Sequence, residues 1–191
     1  MRPANINQIF DEILDIYRTC YLGLASLYDP NIQNYYQNNI PDDIATMGII
    51  TSFNNDIDNK PLNANFRIKS VIDLVKSKGE KEAQTLAQKN MSTLCRIFII
   101  YSYDILKEQS LLGKFWKEPI IQFFRHIRNG CAHNNKFKID NQNELLKLPA
   151  EWRGKKIEIS LNDSNNNVVN NFFKEGDLIL LLEDISNLIL I

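Results

Sequence analysis

Apolar positions recur at helical spacing along most of the chain. Ile6, Ile9, Phe10, Ile13, Tyr17 and Leu24 share one face, with Asp11, Glu12 and Asp15 on the other, which predicts a helix over 6–28. Asp29-Pro30-Asn31 ends it. Residues 31–61, rich in Asn, Asp and Pro, read as a loop-rich insertion with a short helix near Ile44–Phe53. Residues 62–78 are a helix candidate that stops before Gly79. The strongest pattern is 80–109, where Ala83, Leu86, Ala87, Met91, Leu94, Phe98, Tyr101 and Ile105 make one core-facing stripe.

A second strong helix spans 119–134. Pro119 suits its first turn, where a missing N–H costs nothing. Ile120, Phe123, Phe124, Ile127 and Cys131 form its apolar face. Beyond Asn134 the period changes. Ile157–Leu161 alternates as a strand does, Asn162–Asn167 is a polar turn, and Val168–Phe173 reads as the returning strand. A last helix runs to Ile189, with Asp177 as its cap. These elements predict an all-α helical bundle in a single domain, 1–191, with room for a small β-hairpin at 151–174 between the second strong helix and the last.

Composition adds little until charge is resolved by position. Apolar residues make up 44% and charged residues 24%, enough for an ordinary core without disulfide or metal staples. Cys20, Cys95 and Cys131 are odd in number and far apart, which fits free thiols and a cytoplasmic setting. No apolar run follows the first residues, so no signal peptide is expected, and no stretch approaches the ~20 residues that span a bilayer. The net charge is −1, but residues 114–156 hold 10 basic and 4 acidic side chains, while 1–62 and 157–191 are each net acidic. A basic block of this kind can hold a polyanion, or be no more than a solvated face. No glycine-rich phosphate loop and no helix-turn-helix signature stands out, which argues against an NTPase, a Rossmann enzyme and a repressor.

The chemistry concentrates in Phe123-Phe124-Arg125-His126-Ile127-Arg128-Asn129-Gly130-Cys131-Ala132-His133-Asn134-Asn135, which holds both histidines of the chain. Arg128 falls at the edge of the apolar face, and Asn129 and His133, four apart, share the wetter side. Arg128 and His133 are separated by roughly 140° of helical arc, which a long guanidinium, or a helix loosened at Gly130, narrows. Such a trio suits phosphodiester cleavage. RNA carries its own nucleophile in the 2′-OH; histidine exchanges protons near neutral pH, arginine stabilises charge on phosphate, and asparagine orients either. No metal ligand set and no cofactor motif accompanies them.

An Arg, a polar residue and a His four to six positions beyond, near the end of a core-packed helix, resembles the HEPN superfamily; here Asn129 to Ala132 intervene. The resemblance rests on the helices at 80–109 and 119–134, and more loosely on Trp152-Arg153-Gly154 and Gly176-Asp177-Leu178 in the tail. It implies a HEPN-like helical bundle, a homodimer with two facing motifs, and metal-independent endoribonuclease activity leaving 2′,3′-cyclic phosphate and 5′-OH ends. It also implies a role as a toxin, abortive-infection factor or phage-defence effector, with RNA as substrate and a cognate antitoxin as a further partner. Arg128, Asn129 and His133 match the motif and are the expected catalytic residues; Arg125, His126 and Lys136 are candidate substrate contacts. Some members bind RNA or proteins without cutting, so a non-catalytic binding module using the same groove is the alternative.

Several neighbours carry plainer readings. His126 on the wet side reads first as a surface histidine, and Arg125 as either a phosphate contact or an ion-pair partner. Cys131 and His133, two apart and without a second ligand pair, do not make a zinc site, and Cys131 points to the core rather than serving as a nucleophile. Lys136, Lys138, Arg153, Lys155 and Lys156 either line a groove or are solvated surface. Trp116 and Trp152 suit packing better than base stacking, while Phe123, Phe124 and Trp116 offer apolar surface for a dimer contact.

Overall fold

A computed structural model describes residues 6–39, 46–54, 61–139, 149–162 and 167–190. The chain is mostly helical. In order it forms α1 (Ile6–Ser26), α2 (Pro30–Asn39), β1 (Thr46–Asn54), β2 (Pro61–Arg67), α3 (Ile68–Ser77), α4 (Gly79–Glu108), α5 (Pro119–Ala132), β3 (Glu151–Trp152), β4 (Lys155–Lys156), a 3₁₀ turn (Ile159–Asn162) and α6 (Asp177–Ile189). Described residues within 1–21 and 91–191 pack as one compact unit, and those within 22–90 as another.

The first unit holds the main core. Phe10, Ile13, Leu14 and Tyr17 from α1, Cys95, Phe98, Ile99 and Leu106 from α4, and Ile121, Phe123, Phe124, Ile127 and Cys131 from α5 are all buried together. Leu178, Leu181, Leu182 and Ile185 of α6 complete it, each fully buried. α1, α5 and α6 bury the apolar faces that their sequences mark. In α4 the buried face is shifted: of the expected stripe only Phe98 is buried and Tyr101 is exposed, while Ser92, Cys95, Ile99, Ser102 and Leu106 face the core, because the helix is oriented by what packs against it and not by its own apolar stripe alone. Phe123 and Phe124 belong to this core at 0% exposure, so they are not the apolar dimer surface the sequence suggests. Phe123 packs against the rings of Trp152, Phe172 and Phe173, and Phe124 against Tyr103.

The segment after α5 departs from the expected hairpin. Among the described residues of this segment the paired strands are β3 and β4, with Glu151 opposite Lys156 and Trp152 opposite Lys155. Arg153 and Gly154 take φ of 46° and 80°, the left-handed pair that closes a two-residue turn. Ile157–Leu161 is not a strand: its second half curls into the 3₁₀ turn, and Val168–Phe173 folds on itself through a Val169–Phe173 bridge. Both segments alternate, but they make local turn bonds instead of a shared ladder: Leu161 N–H donates to the Glu158 carbonyl at 3.0 Å and Phe173 N–H to the Val168 carbonyl at 2.7 Å. Asp177 is likewise not the cap of α6. Gly176 is the N-cap, and Asp177, already helical, accepts from the Lys174 N–H at 2.9 Å and pairs with Lys155.

The second unit corrects the reading of 31–78. Asp29 does not only end α1; it starts α2, accepting from the N–H groups of Asn31 (2.8 Å) and Ile32 (3.1 Å), with Pro30 as the first helical residue. The expected helix near Ile44–Phe53 is, over its described part, strand β1, paired antiparallel with β2 from Thr46↔Arg67 to Ile50↔Asn63. β-branched Ile49, Ile50 and Thr51 favour that state. The candidate helix 62–78 forms only from Ile68, because Leu62-Asn63-Ala64-Asn65-Phe66-Arg67 alternates with a period of two. Ile72 and Val75 of α3 are buried, and Gly79, at φ 71°, takes the left-handed turn between α3 and α4.

Candidate functional site

The candidate site lies in the first unit, on α4 and the C-terminal half of α5. Two interhelical bonds fix the register of these helices. Asp104 of α4 pairs with Arg128 of α5, both carboxylate oxygens lying 3.0 Å from Arg128 Nη2. Eight residues earlier on α4, Arg96 Nη2 donates to the Cys131 carbonyl at 3.0 Å. Chain number falls along α4 as it rises along α5, so the helices run antiparallel. Between Arg96 and Asp104 in sequence, Ile97 and Tyr101 of α4 are large and exposed.

Arg128 is partly exposed, as its position at the edge of the apolar face predicts. Besides Asp104, its Nη1 lies 3.5 Å from Asn129 Oδ1, and its guanidinium stands 6.0 Å from the centroid of the Tyr103 ring. Its Nε is buried with no partner among the described residues. The guanidinium is thus held by a carboxylate and an aromatic ring, with its Nε enclosed and the side chain as a whole partly exposed.

His133 is exposed and stands one residue past the end of α5, as its C-cap, with φ −101° and ψ 62°. Its backbone N–H donates to the carbonyls of Asn129 and Gly130, at 3.0 and 3.1 Å. The chain then turns through Asn134 and Asn135, both left-handed, at φ 55° and 63°. Asparagine tolerates that conformation better than most residues. Asn135 is buried and clamps the Val168–Phe173 segment: its side chain accepts from the Val169 N–H (2.9 Å) and donates to the Val169 carbonyl (3.0 Å).

Gly130 does not loosen the helix, which continues through Ala132. Its role is close approach: a Cβ there would lie 2.5 Å from Val168 Cγ2 and 3.2 Å from the Lys136 carbonyl oxygen. His126 is the larger correction. It is buried at 6% exposure rather than on the wet side, and burial together with the Arg125 charge lowers its pKa to about 4. That burial sets it apart from the solvent-facing phosphate contact that the sequence suggests. Arg125 is half-buried and donates to Gln122 Oε1 at 3.1 Å, while Gln122 in turn donates to the Trp116 carbonyl. Lys136 is half-buried.

Cys131 is buried, and its thiol is pushed up to about 12 by burial, which suits a core residue and not a nucleophile. Arg153, Lys155 and Lys156 are committed to ion pairs with Asp184, Asp177 and Glu151, so they do not form a free basic groove. Trp152 is buried and donates from Nε1 to Asp184. Among the described residues no group of three His, Cys, Asp or Glu side chains is placed to hold a metal ion, and no helix is long and apolar enough to cross a membrane.

Sequence reasoning missed three contributors. Asp104 and Arg96 sit on the strong helix 80–109, where charged residues on an amphipathic helix look like ordinary solvated positions. Asn135 was in view, but nothing local signals its bond to Val169. Comparison of the chain with protein-family models, with curated proteins and with solved structures gives no match.

Proposed function

We propose that the Arg128–His133 face is the site of a HEPN-type endoribonuclease acting without a metal ion, in a protein that serves as a toxin or phage-defence effector in the cytoplasm. One observation carries the reading. A single core-packed helix presents a partly open guanidinium at Arg128 and ends in an exposed imidazole at His133, while the other histidine is buried and neutral.

In this mechanism His133 takes the proton of the 2′-OH. The 2′-oxygen forms a bond to phosphorus and the bond to the 5′-oxygen breaks, leaving a 2′,3′-cyclic phosphate. The departing 5′-oxygen takes a proton from an acid on the opposite side. Arg128 stabilises the charge that builds on the phosphate oxygens, and Asn129 orients Arg128 through its Oδ1. Since His126 is enclosed, the acid is His133 of the partner subunit in a symmetric homodimer. The apolar surface for that contact is Ile97 and Tyr101 of α4, rather than Phe123 and Phe124.

The test is incubation of the purified chain with RNA in excess chelator. Expected are cyclic phosphate ends, and a loss of roughly 100-fold or more in His133→Ala and Arg128→Ala. Cleavage only with an added divalent ion, or normal cleavage by His133→Ala, defeats the proposal. A second reading, a module that binds RNA or a protein without cutting, is favoured by one fact: Asp104 already occupies part of the Arg128 fork. Binding by the wild type without cleavage would select it.

A further inference from the structure

An α-helix leaves its last four carbonyls without intrahelical partners. In α5 those of Asn129 and Gly130 are taken by the His133 N–H, and that of Gly130 also by the Lys136 N–H, at 3.1 Å. The Cys131 carbonyl is taken by a side chain from another helix, Arg96 Nη2 at 3.0 Å. The last turn of α5 has no basic residue of its own, so Arg96 supplies from α4 the cation that the negative end of the helix dipole favours. The bond is charge-assisted, and therefore stronger than a neutral one.

His133 lies two residues beyond that bond and two residues before Asn135, whose side chain is bonded to both polar groups of the Val169 backbone. The exposed imidazole is thus carried by a short stretch anchored on both sides: by Arg96 before it and by Asn135 after it. Of the two anchors, only Arg96 carries charge and belongs to the helix that also supplies Asp104 to Arg128.

We infer that Arg96 is a positioning residue for His133, a role that rests on His133 being the proton-transfer group. Without Arg96 the end of α5 frays and the imidazole loses its fixed place relative to Arg128. A displacement of ~1 Å costs on the order of 100-fold in rate, so Arg96→Ala is expected to lower kcat by roughly 10- to 100-fold and leave KM within about twofold. Arg96→Lys keeps a cation that reaches the carbonyl and restores most of the rate.

The experiment measures cleavage of an RNA oligonucleotide by the full chain and its Arg96 variants, below the melting temperature of each, with amide hydrogen exchange followed at His133 and Lys136. A fall in kcat in Arg96→Ala, recovery in Arg96→Lys and faster exchange at both amides support the inference. Wild-type kcat in Arg96→Ala, or a loss that lysine does not recover, overturns it. If the alanine variant does not fold, Arg96→Gln keeps a donor without charge; rates equal to wild type in both the Gln and Lys variants overturn the inference, and a loss in Gln alone supports it. If the wild type cuts no RNA, the ribonuclease reading fails separately. The anchoring of His133 by Arg96 is then decided by exchange: faster in the variant supports it, unchanged overturns it.

Discussion

Asp104 and Arg128 grip each other across α4 and α5, with both oxygens of one carboxylate 3.0 Å from a single guanidinium nitrogen. The pair is half open to solvent, with side-chain exposures of 30% for Arg128 and 42% for Asp104. A pair this exposed contributes within about 1 kcal/mol to stability. In the proposed site its larger effect would be on phosphate binding, because a carboxylate at Arg128 Nη2 competes with phosphate oxygens for the same donors.

Asp104→Asn, combined with His133→Ala to stop cleavage, is therefore expected to bind an RNA oligonucleotide several-fold more tightly than His133→Ala alone. Fluorescence anisotropy over a salt series gives the answer. An unchanged or weaker affinity would show that Arg128 does not contact phosphate.

Assembly offers a second check. Ile97 and Tyr101 are 56% and 42% exposed and lie on α4 between Arg96 and Asp104, the two residues that bond to α5. Replacing both with Glu places charge on the proposed twofold contact, where desolvation and like-charge repulsion oppose association. The double variant is expected to be monomeric by light scattering and to lose cleavage, while its melting temperature stays near that of the wild-type protomer. A variant that remains dimeric and active removes this face from the interface.

His126 makes the stability of the fold depend on pH. Its pKa is about 4 in the folded chain, lowered by burial and then by Arg125, against about 6.5 for an unperturbed histidine. Between those values the unfolded chain binds a proton that the folded chain refuses, so stability falls as pH drops from ~6.5 towards ~4 and is fully present above that window. The full loss is on the order of 3 kcal/mol. Denaturant melts from pH 7.5 to 4.5 measure it, and His126→Gln should flatten that part of the slope. An NMR titration in which the His126 ring protonates near 6.5 would contradict the burial argument.

Gly130→Ala sets two effects against each other. Alanine is the better helix former by about 1 kcal/mol. Its Cβ, however, would meet Val168 Cγ2 at 2.5 Å and the Lys136 carbonyl oxygen at 3.2 Å, and Val168 is fully buried and stiff at χ1. Overpacking of this kind costs about 1–3 kcal/mol, so the net change is destabilising, and shifts of the Val168–Phe173 segment should accompany it. A raised melting temperature would show that the contact relaxes freely.

Much of the fold was legible from sequence because helix burial is a local pattern. The buried faces of α1 and α5, the existence of α4 and α6, and the Pro119 start of α5 follow from spacing and backbone chemistry within a few residues, whereas the face that α4 buries does not. The reading failed where local signals were mixed: Asn-rich 30–39 is a helix because Asp29 and Pro30 start it, and 46–54 and 61–67 pair as strands although their neighbours are helical.

The sequence by itself determined that Arg128, Asn129 and His133 share the end of one amphipathic helix, since that needs only a period of 3.6 residues and a core-facing stripe. Only the tertiary structure decided what each of them meets. Asp104 reaches Arg128 across 24 residues of chain, Asn135 reaches Val169 across 34, and Arg96 reaches Cys131 across 35. Those partners depend on the register of one element against another, which the shapes of many buried side chains settle together and no local spacing encodes. The same packing encloses His126 and leaves His133 in solvent, dividing two histidines only seven residues apart into a neutral core residue and the candidate proton-transfer group.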